Sequence, residues 1–328
     1  MPTFVRSQAI SHPVGERGRV SLKVTSADVQ LSAAPGGDAS IRATFEIKAA
    51  SEKEADDIFE QVRLRVKQSP GELLIEEPDI TGSFGSVISR IFGSGVHGDL
   101  NVEARVPAGV ELRLSGVSAD MEVSGMRGDQ RYHTVSGDLS VTEAGGRVRL
   151  NTISGDATLR ATEPLAVEAQ GVSGDLSVIA PQLESLRVST VSGDVELEGE
   201  LSARGDFRVE TVSGDLVVGL LGSATFEVRG LSTDVNSELD HRLEGRSDRR
   251  RLIVGAGGPT LVFNSMSGDV SVRRPRRVSP ARGDATAATP PTAPAASPDA
   301  ASRLDVLQAL ERGEIDVDEA SRRLAGGS

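Results

Sequence analysis

Apolar and polar residues alternate through most of the chain as far as Val272. In Leu139-Ser-Val141 and Val148-Arg-Leu150 the apolar side chains fall two apart, and Arg19–Val24 and Ile41–Ile47 read the same way. A period of two marks strands with one face turned to a core. The alternation slips by one at Thr134-Val135, Thr152-Ile153 and Thr190-Val191, each time just ahead of Ser-Gly-Asp. A slip at the same place in successive copies predicts a corner or bulge. Glu143–Gly146 predicts a turn between the two strands it separates.

The slips recur because the segment recurs. Its Asp stands at Asp120, Asp138, Asp156, Asp175, Asp194, Asp215, Asp234 and Asp269, with successive differences of 18, 18, 19, 19, 21, 19 and 35. Near-constant spacing is the mark of stacked repeats. An earlier copy, "KVTSADVQL" at Lys23–Leu31, makes the N-terminal part open with a related rung. The prediction is an all-β chain, a flattened parallel β-solenoid (β-helix-like) with rungs of about 18–21 residues, each of two short strands and two bends. At ~4.8 Å per rung, eight rungs make a rod of about 40 Å. The low share of aromatics, 3%, suits a narrow core filled by Val, Leu and Ile. Helical repeats do not fit rungs so rich in Gly, Val, Thr and Ser.

Three readings of Ser-Gly-Asp follow from its chemistry. It builds a turn, with Ser and Asp bonded to backbone N–H groups; or Asp138, Asp156, Asp175, Asp194 and Asp215 form a cation ladder; or they form a ligand face. One carboxylate per rung is a thin supply for calcium, which takes six to eight oxygens, so the structural turn is preferred. Ala27, Ala119 and Thr233 stand at the Gly position in three copies. A β-branched residue avoids positive φ, so small size beside the next rung, rather than a left-handed backbone, is the expected reason for Gly.

Outside the repeat, Ser51 and Glu54 form a capping box ahead of one helix with Ala55, Ile58, Phe59 and Val62 on its apolar stripe. Strands are expected at Leu64–Lys67 and Glu72–Ile75. Residues 1–98 thus read as an N-terminal cap and 99–277 as the solenoid. In "ITGSFGSVISRIFGSG", Val87, Ile88, Ile91 and Phe92 line one face of a short helix, read as a flap or a docking site. "DHRLEGRSDRRRLIV" reads as an extra loop between two strands, with Arg249–Arg251 solvated. Pro275 in "RRPRR" ends the sheet, and the run reads as a charged gatekeeper before a contact with lipid or nucleic acid. Residues 278–301 are a disordered Pro/Ala-rich linker and 302–328 a helical hairpin, with Leu304, Leu307, Leu310, Ile315 and Leu324 as its partner-binding apolar positions.

Net charge is −12, which argues against nucleic acid as a partner. There is no Cys, hence no disulfide framework or thiolate site. His12, His97, His133 and His241 lack metal-ligand spacing, and neither a phosphate loop nor a nucleophile elbow occurs. No enzyme, cofactor or metal is expected. Arg-Gly-Asp at 127–129, 204–206 and 282–284 follows from the abundance of Gly-Asp. No basic start leads into an apolar run and no window matches a membrane span, so a cytoplasmic chain is expected.

"VPAGVELRLSGVSADMEV", "TVSGDLSV" and "STVSGDVEL" carry a resemblance to the bacterial "putative adhesin" family of β-solenoids, over roughly residues 15 to 273. "VLQALERGEIDVDEASRRL" is similar to a helical hairpin attached to such domains in bacterial proteins tied to envelope-stress regulation. The resemblance implies a binding surface and brings no catalytic residue. The leading expectation is a non-catalytic scaffold whose hairpin meets an unknown protein partner or a second copy. A surface adhesin and a bactofilin-like self-assembling element are the alternatives.

Overall fold

Most strands bury alternate residues, so each must find both hydrogen-bonded neighbours and a cover for one face. The computed structural model describes residues 2–78, 100–246 and 249–276. In chain order the N-terminal elements are β1 (Thr3–Pro13), β2 (Arg19–Lys23), β3 (Asp28–Ala34), β4 (Asp38–Lys48), α1 (Glu52–Val62), β5 (Arg65–Ser69) and β6 (Glu72–Glu76). The central ones are β7 (Leu100–Pro107), β8 (Glu111–Ser118), β9 (Met121–Ser124), β10 (Asp129–Ser136), β11 (Leu139–Thr152), β12 (Ala157–Gln170), β13 (Leu176–Ser189), β14 (Val195–Leu201), β15 (Phe207–Glu210) and β16 (Leu216–Leu221). The last are β17 (Ala224–Ser232), β18 (Val235–Ser237), β19 (His241–Arg246), β20 (Arg249–Val254), β21 (Thr260–Ser267) and β22 (Val270–Arg273).

All the strands belong to one 22-stranded sheet that folds into two walls. One wall runs β6, β2, β8, β10, the second halves of β11, β12 and β13, then β15, β21 and β17, all parallel. The other runs β7, β3, β9, the first halves of β11 to β13, then β14, β16, β22 and β18, again parallel. The architecture is solenoid-like. The Glu143–Gly146 segment, expected as a turn, is a corner inside β11, where the register to β12 shifts and Glu143 takes φ of 53°.

Inward residues of the two walls fill one narrow, mostly aliphatic core. In β10 the pattern changes: Gln130 and Tyr132 sit at core positions, 1% and 2% exposed. The Tyr132 hydroxyl donates to Gln130 Oε1 at 2.8 Å, and Gln130 Nε2 donates to the Gly145 carbonyl at 3.0 Å. This buried polar pair is satisfied, as burial requires, and burial pushes the Tyr132 phenol well up from its ordinary value.

The ends differ from a simple stack. At the first, β2 and β3 lie between the β6–β7 rung and the β8–β9 rung. At the other, β21 and β22 lie between β15–β16 and β17–β18. Antiparallel strands finish the walls: β5 on β6, β4 on β7 with β1 outside it, and β20 on β17 with β19 outside it. Strands on both sides of residue 98 therefore pair with one another, and the first compact unit extends to Arg277. The separation of 1–98 from 99–277 is corrected accordingly: the covering function is carried by β1, β4 and β5, while β2 and β3 are rungs. The expected loop around Arg249 is the β19–β20 hairpin.

Helix α1 begins as the capping box dictates. Ser51 Oγ accepts the Glu54 N–H at 3.3 Å, and Glu54 Oε2 accepts the Ala50 N–H at 2.8 Å. Ala55 and Ile58 are buried, and Phe59 meets Phe45 edge-on at 5.4 Å. The expected flap, the linker and the hairpin lie outside the described residues.

Candidate functional site

The repeated Ser-Gly-Asp forms one continuous edge. The Asp138 N–H donates to Asp120 Oδ1, and the pattern repeats through Asp156, Asp175, Asp194, Asp215, Asp269 and Asp234, at 2.7–2.9 Å. The N–H of the next residue answers in the other direction: Leu139 donates to the Asp156 carbonyl and Leu176 to that of Asp194, both at 2.9 Å. Each Asp thus joins its rung to the next through side chain and main chain together.

Stacked carboxylates repel, by about 1 kcal/mol per neighbouring pair in a water-like dielectric. A hydrogen bond to a charged acceptor contributes about 1.5–3 kcal/mol, so the backbone donors outweigh the repulsion. Thr at the start of the motif steadies the bend: Thr134 Oγ1 donates to the Ser136 carbonyl, Thr190 to Ser192 and Thr211 to Ser213, each at 3.1 Å.

The glycines need two things at once. Gly137, Gly155, Gly174 and Gly193 have φ of 119°, 116°, 115° and 118°, a region that side chains disfavour. A Cβ on Gly155, Gly174 or Gly193 would also fall 2.1–2.3 Å from the carbonyl oxygen of the previous rung's glycine. Close approach bears out the size argument, but the expectation of an ordinary backbone is corrected for these rungs. Ala27, Ala119 and Thr233 avoid positive φ because they occupy rungs near the ends, where the edge takes another conformation.

On the outer side of the first wall, arginines recur in register: Arg113 beside Arg131 beside Arg149, and Arg187 beside Arg208. Acids interleave with them. Glu111 meets Arg19 at 2.9 Å, Arg113 at 2.6 Å and Arg131 at 3.1 Å, joining three rungs. Burial pushes the Glu111 carboxyl up, but hydrogen bonds from Arg113 and Arg19, with their charge, outweigh it and hold it below the usual carboxylate range. The Arg208 hydrogen bond lowers Glu210 in the same way, and Asp206 raises Arg187.

Two open grooves lie on the outer faces. One, about 640 Å³, is lined by Arg42, Glu103, Arg105, Glu122, Ser32 and Ser140. The other, about 410 Å³, lies among Glu168, Arg187, Asp206, Arg208 and Glu210. His12 bonds to the Ser69 carbonyl, His241 to that of Leu239, and His133 is exposed on another strand. No group of three or more His, Asp or Glu with metal-holding geometry occurs among the described residues.

The structure therefore brings Asp138, Asp156, Asp175, Asp194 and Asp215 together as a ladder bonded to backbone. Leu304, Leu307, Leu310, Ile315 and Leu324 lie outside the described residues. The basic run ends β22, as Pro275 dictates, and Arg273 and Arg276 both reach Glu196. Sequence reasoning missed the Glu111 cluster, because register and not spacing assembles it. No helix among the described residues is long and apolar enough to cross a membrane.

Solved structures to which the chain is similar include a "putative cell adhesion protein" from Clostridium sporogenes, 12% identical, covering 83% of this chain and 100% of that one, TM-score 0.28. A "putative adhesin" from Bacteroides fragilis is 10% identical over 81% and 97%, TM-score 0.36. A "putative lipid binding protein" from Parabacteroides distasonis is 12% identical over 82% and 97%, TM-score 0.39. No curated protein matches the sequence. The family model described as Toastrack DUF4097 matches residues 17–273, the span of the stacked rungs, and the chain belongs to that family.

Proposed function

We propose that the chain is a non-catalytic scaffold: a parallel β-solenoid that presents its outer faces for binding, followed by a tether at 278–301 and a helical hairpin at 302–328 that engages a protein partner. The observation that carries this reading is the use made of the repeat. Its Asp side chains join rung to rung, its Gly lets the rungs approach and its Thr side chains brace the bend within each rung, and outer arginines are matched by acids. What remains is a long ordered surface. Antiparallel strands finish both walls at the first end and the β17 wall at the other, and the second wall stops there on β18, only three residues long. This weighs against end-to-end polymers, since a long uncovered parallel edge is what such growth needs.

Cross-linking of the full chain in its native host tests the hairpin. The expected result is a defined cross-linked partner that is lost in the Leu307→Asp, Leu310→Asp variant; an unchanged pattern would overturn the tethered module. Protease treatment of intact cells separates the adhesin alternative, and the expected chain is protected. Light scattering across a concentration series addresses the filament alternative, with a mass that does not grow as the expected outcome.

A further inference from the structure

The bend before each Ser-Gly-Asp carries an outward side chain that the fold does not use. Val117, Ile153, Val172, Val191 and Val212 are 46–49% exposed there, and Met266 is 57% exposed. Val135 occupies the same position, half-buried, and Leu231 completes the row at the far end. Seven of the ten large hydrophobics exposed among the described residues stand on this one row, so it is no scatter of single apolar residues. Extended backbone alone would favour Val or Ile, yet Met266 and Leu231 keep the row apolar without β-branching.

Main-chain bonds fix the pitch. The Ser173 N–H donates to the Ile153 carbonyl at 3.0 Å, Ser192 to Val172 at 2.9 Å and Ser213 to Val191 at 3.0 Å. Three residues further along each middle rung stands the exposed Asp, one carboxylate oxygen bonded to backbone and the other without a hydrogen bond among the described residues; at the far end Asp234 meets Arg250 instead. The edge is therefore a rigid apolar row flanked by a row of anions.

We propose that this edge is a docking surface for a basic amphipathic α-helix of a protein partner. Chemistry selects the occupant. Apolar residues on one face of such a helix would lie on the Val row while Lys or Arg beside them meet the carboxylates. A helix crossing at roughly 27° projects its ~5.4 Å turn onto the ~4.8 Å rung spacing. An anionic lipid surface is repelled by the Asp row. A second copy has the right pitch but brings carboxylates where cations are needed. Rigid side chains on a fixed ladder lose little freedom on binding, which favours affinity.

This inference rests on the scaffold reading, and its test is separate. A fluorescent peptide of about 21 residues, Leu on one helical face and Lys on the other, is titrated with the full chain by anisotropy. Controls replace Lys by Glu or scramble the order. Only the ordered Lys peptide is expected to bind. The Ile153→Val, Val172→Thr, Val191→Thr variant keeps β-branching and charge, and its affinity is expected to fall severalfold with Tm unchanged. Asp156→Asn, Asp175→Asn and Asp194→Asn together keep an acceptor for each backbone N–H, and are expected to weaken binding and flatten its salt dependence. No binding to the natural chain, equal binding of the scrambled peptide, or indifference to the Thr substitutions would overturn the proposal. So would a dimer of the natural chain that the Thr variant loses. If peptide binding fails while the cross-link to residues 302–328 persists, the edge falls and the scaffold stands. The reverse pattern removes the tethered module alone.

Discussion

The middle rungs and the two ends solve the same problem by different means. From Asp138 to Asp215 every rung repeats one edge, in which Asp reaches the next backbone and Gly lets the chains approach. At the ends the repeat degrades to Ala27, Ala119 and Thr233, and the strand order is exchanged, with β2–β3 and β21–β22 inserted inward. Repetition suffices where each rung has a like neighbour on both sides. Where one neighbour is missing, antiparallel strands of unrelated sequence replace it at three of the four wall ends, and the short β18 closes the fourth.

The sharpest way to break this contrast is to put a side chain at a glycine. Gly174→Ala meets both a disfavoured φ and the Gly155 carbonyl, and is expected to cost roughly 3–5 kcal/mol from strain and overpacking. The reverse change near the end, Ala119→Gly, is expected to cost about 1 kcal/mol or less. Urea unfolding of the two variants compares them directly, and equal losses would dissolve the distinction. Next in size is the ladder. Asp175→Ala removes the acceptor of the Asp194 N–H and is expected to cost about 1.5–3 kcal/mol, whereas Asp175→Asn keeps it and stays within about 1 kcal/mol. A melting temperature unmoved by millimolar calcium or a chelator accompanies this reading, and a calcium-dependent rise would restore the cation ladder.

Tyr132→Phe tests the polar pair in the core. It leaves Gln130 Oε1 without its donor, at an expected cost of about 1–3 kcal/mol. The smallest effect is on pH. Because the folded Glu111 carboxyl titrates below the ordinary value of 4.5, its contribution is fully present above that value and is lost as pH falls through the lowered one. Glu111→Gln is therefore expected to flatten the acid side of the stability profile, and an unchanged profile would discount the three-arginine cluster.

Much of this was legible in the chain. The spacing of Asp138, Asp156 and Asp175 announces the rungs, and Ser51 with Glu54 announces α1. Three features were not. β1 buries little of itself, with only Ile10 buried along its length, so its alternation carries a weak hydrophobic signal. The exchange of rungs at the ends cannot be read from the spacing: the interval of 35 before Asp269 shows that residues are inserted, but period reports the size of a rung and not its place in the stack. The glycine conformation is hidden because Ala119 and Thr233 share the motif position of Gly155 and Gly174 but not their positive φ. Their confinement to the outer copies was the available clue that the ends depart from the middle.

The inserted strand β22 has a mechanical consequence. Tension applied through Arg276 reaches β22, which is held on one side by β16 and on the other by β18. Extraction must shear both parallel ladders together, and Arg273 adds its grip on Glu196. An outermost strand would peel from a single neighbour. The point where the described chain gives way to residues 277–328 is thus anchored inside the sheet, so a pull transmitted through Arg276 is borne by the stack and not by its rim.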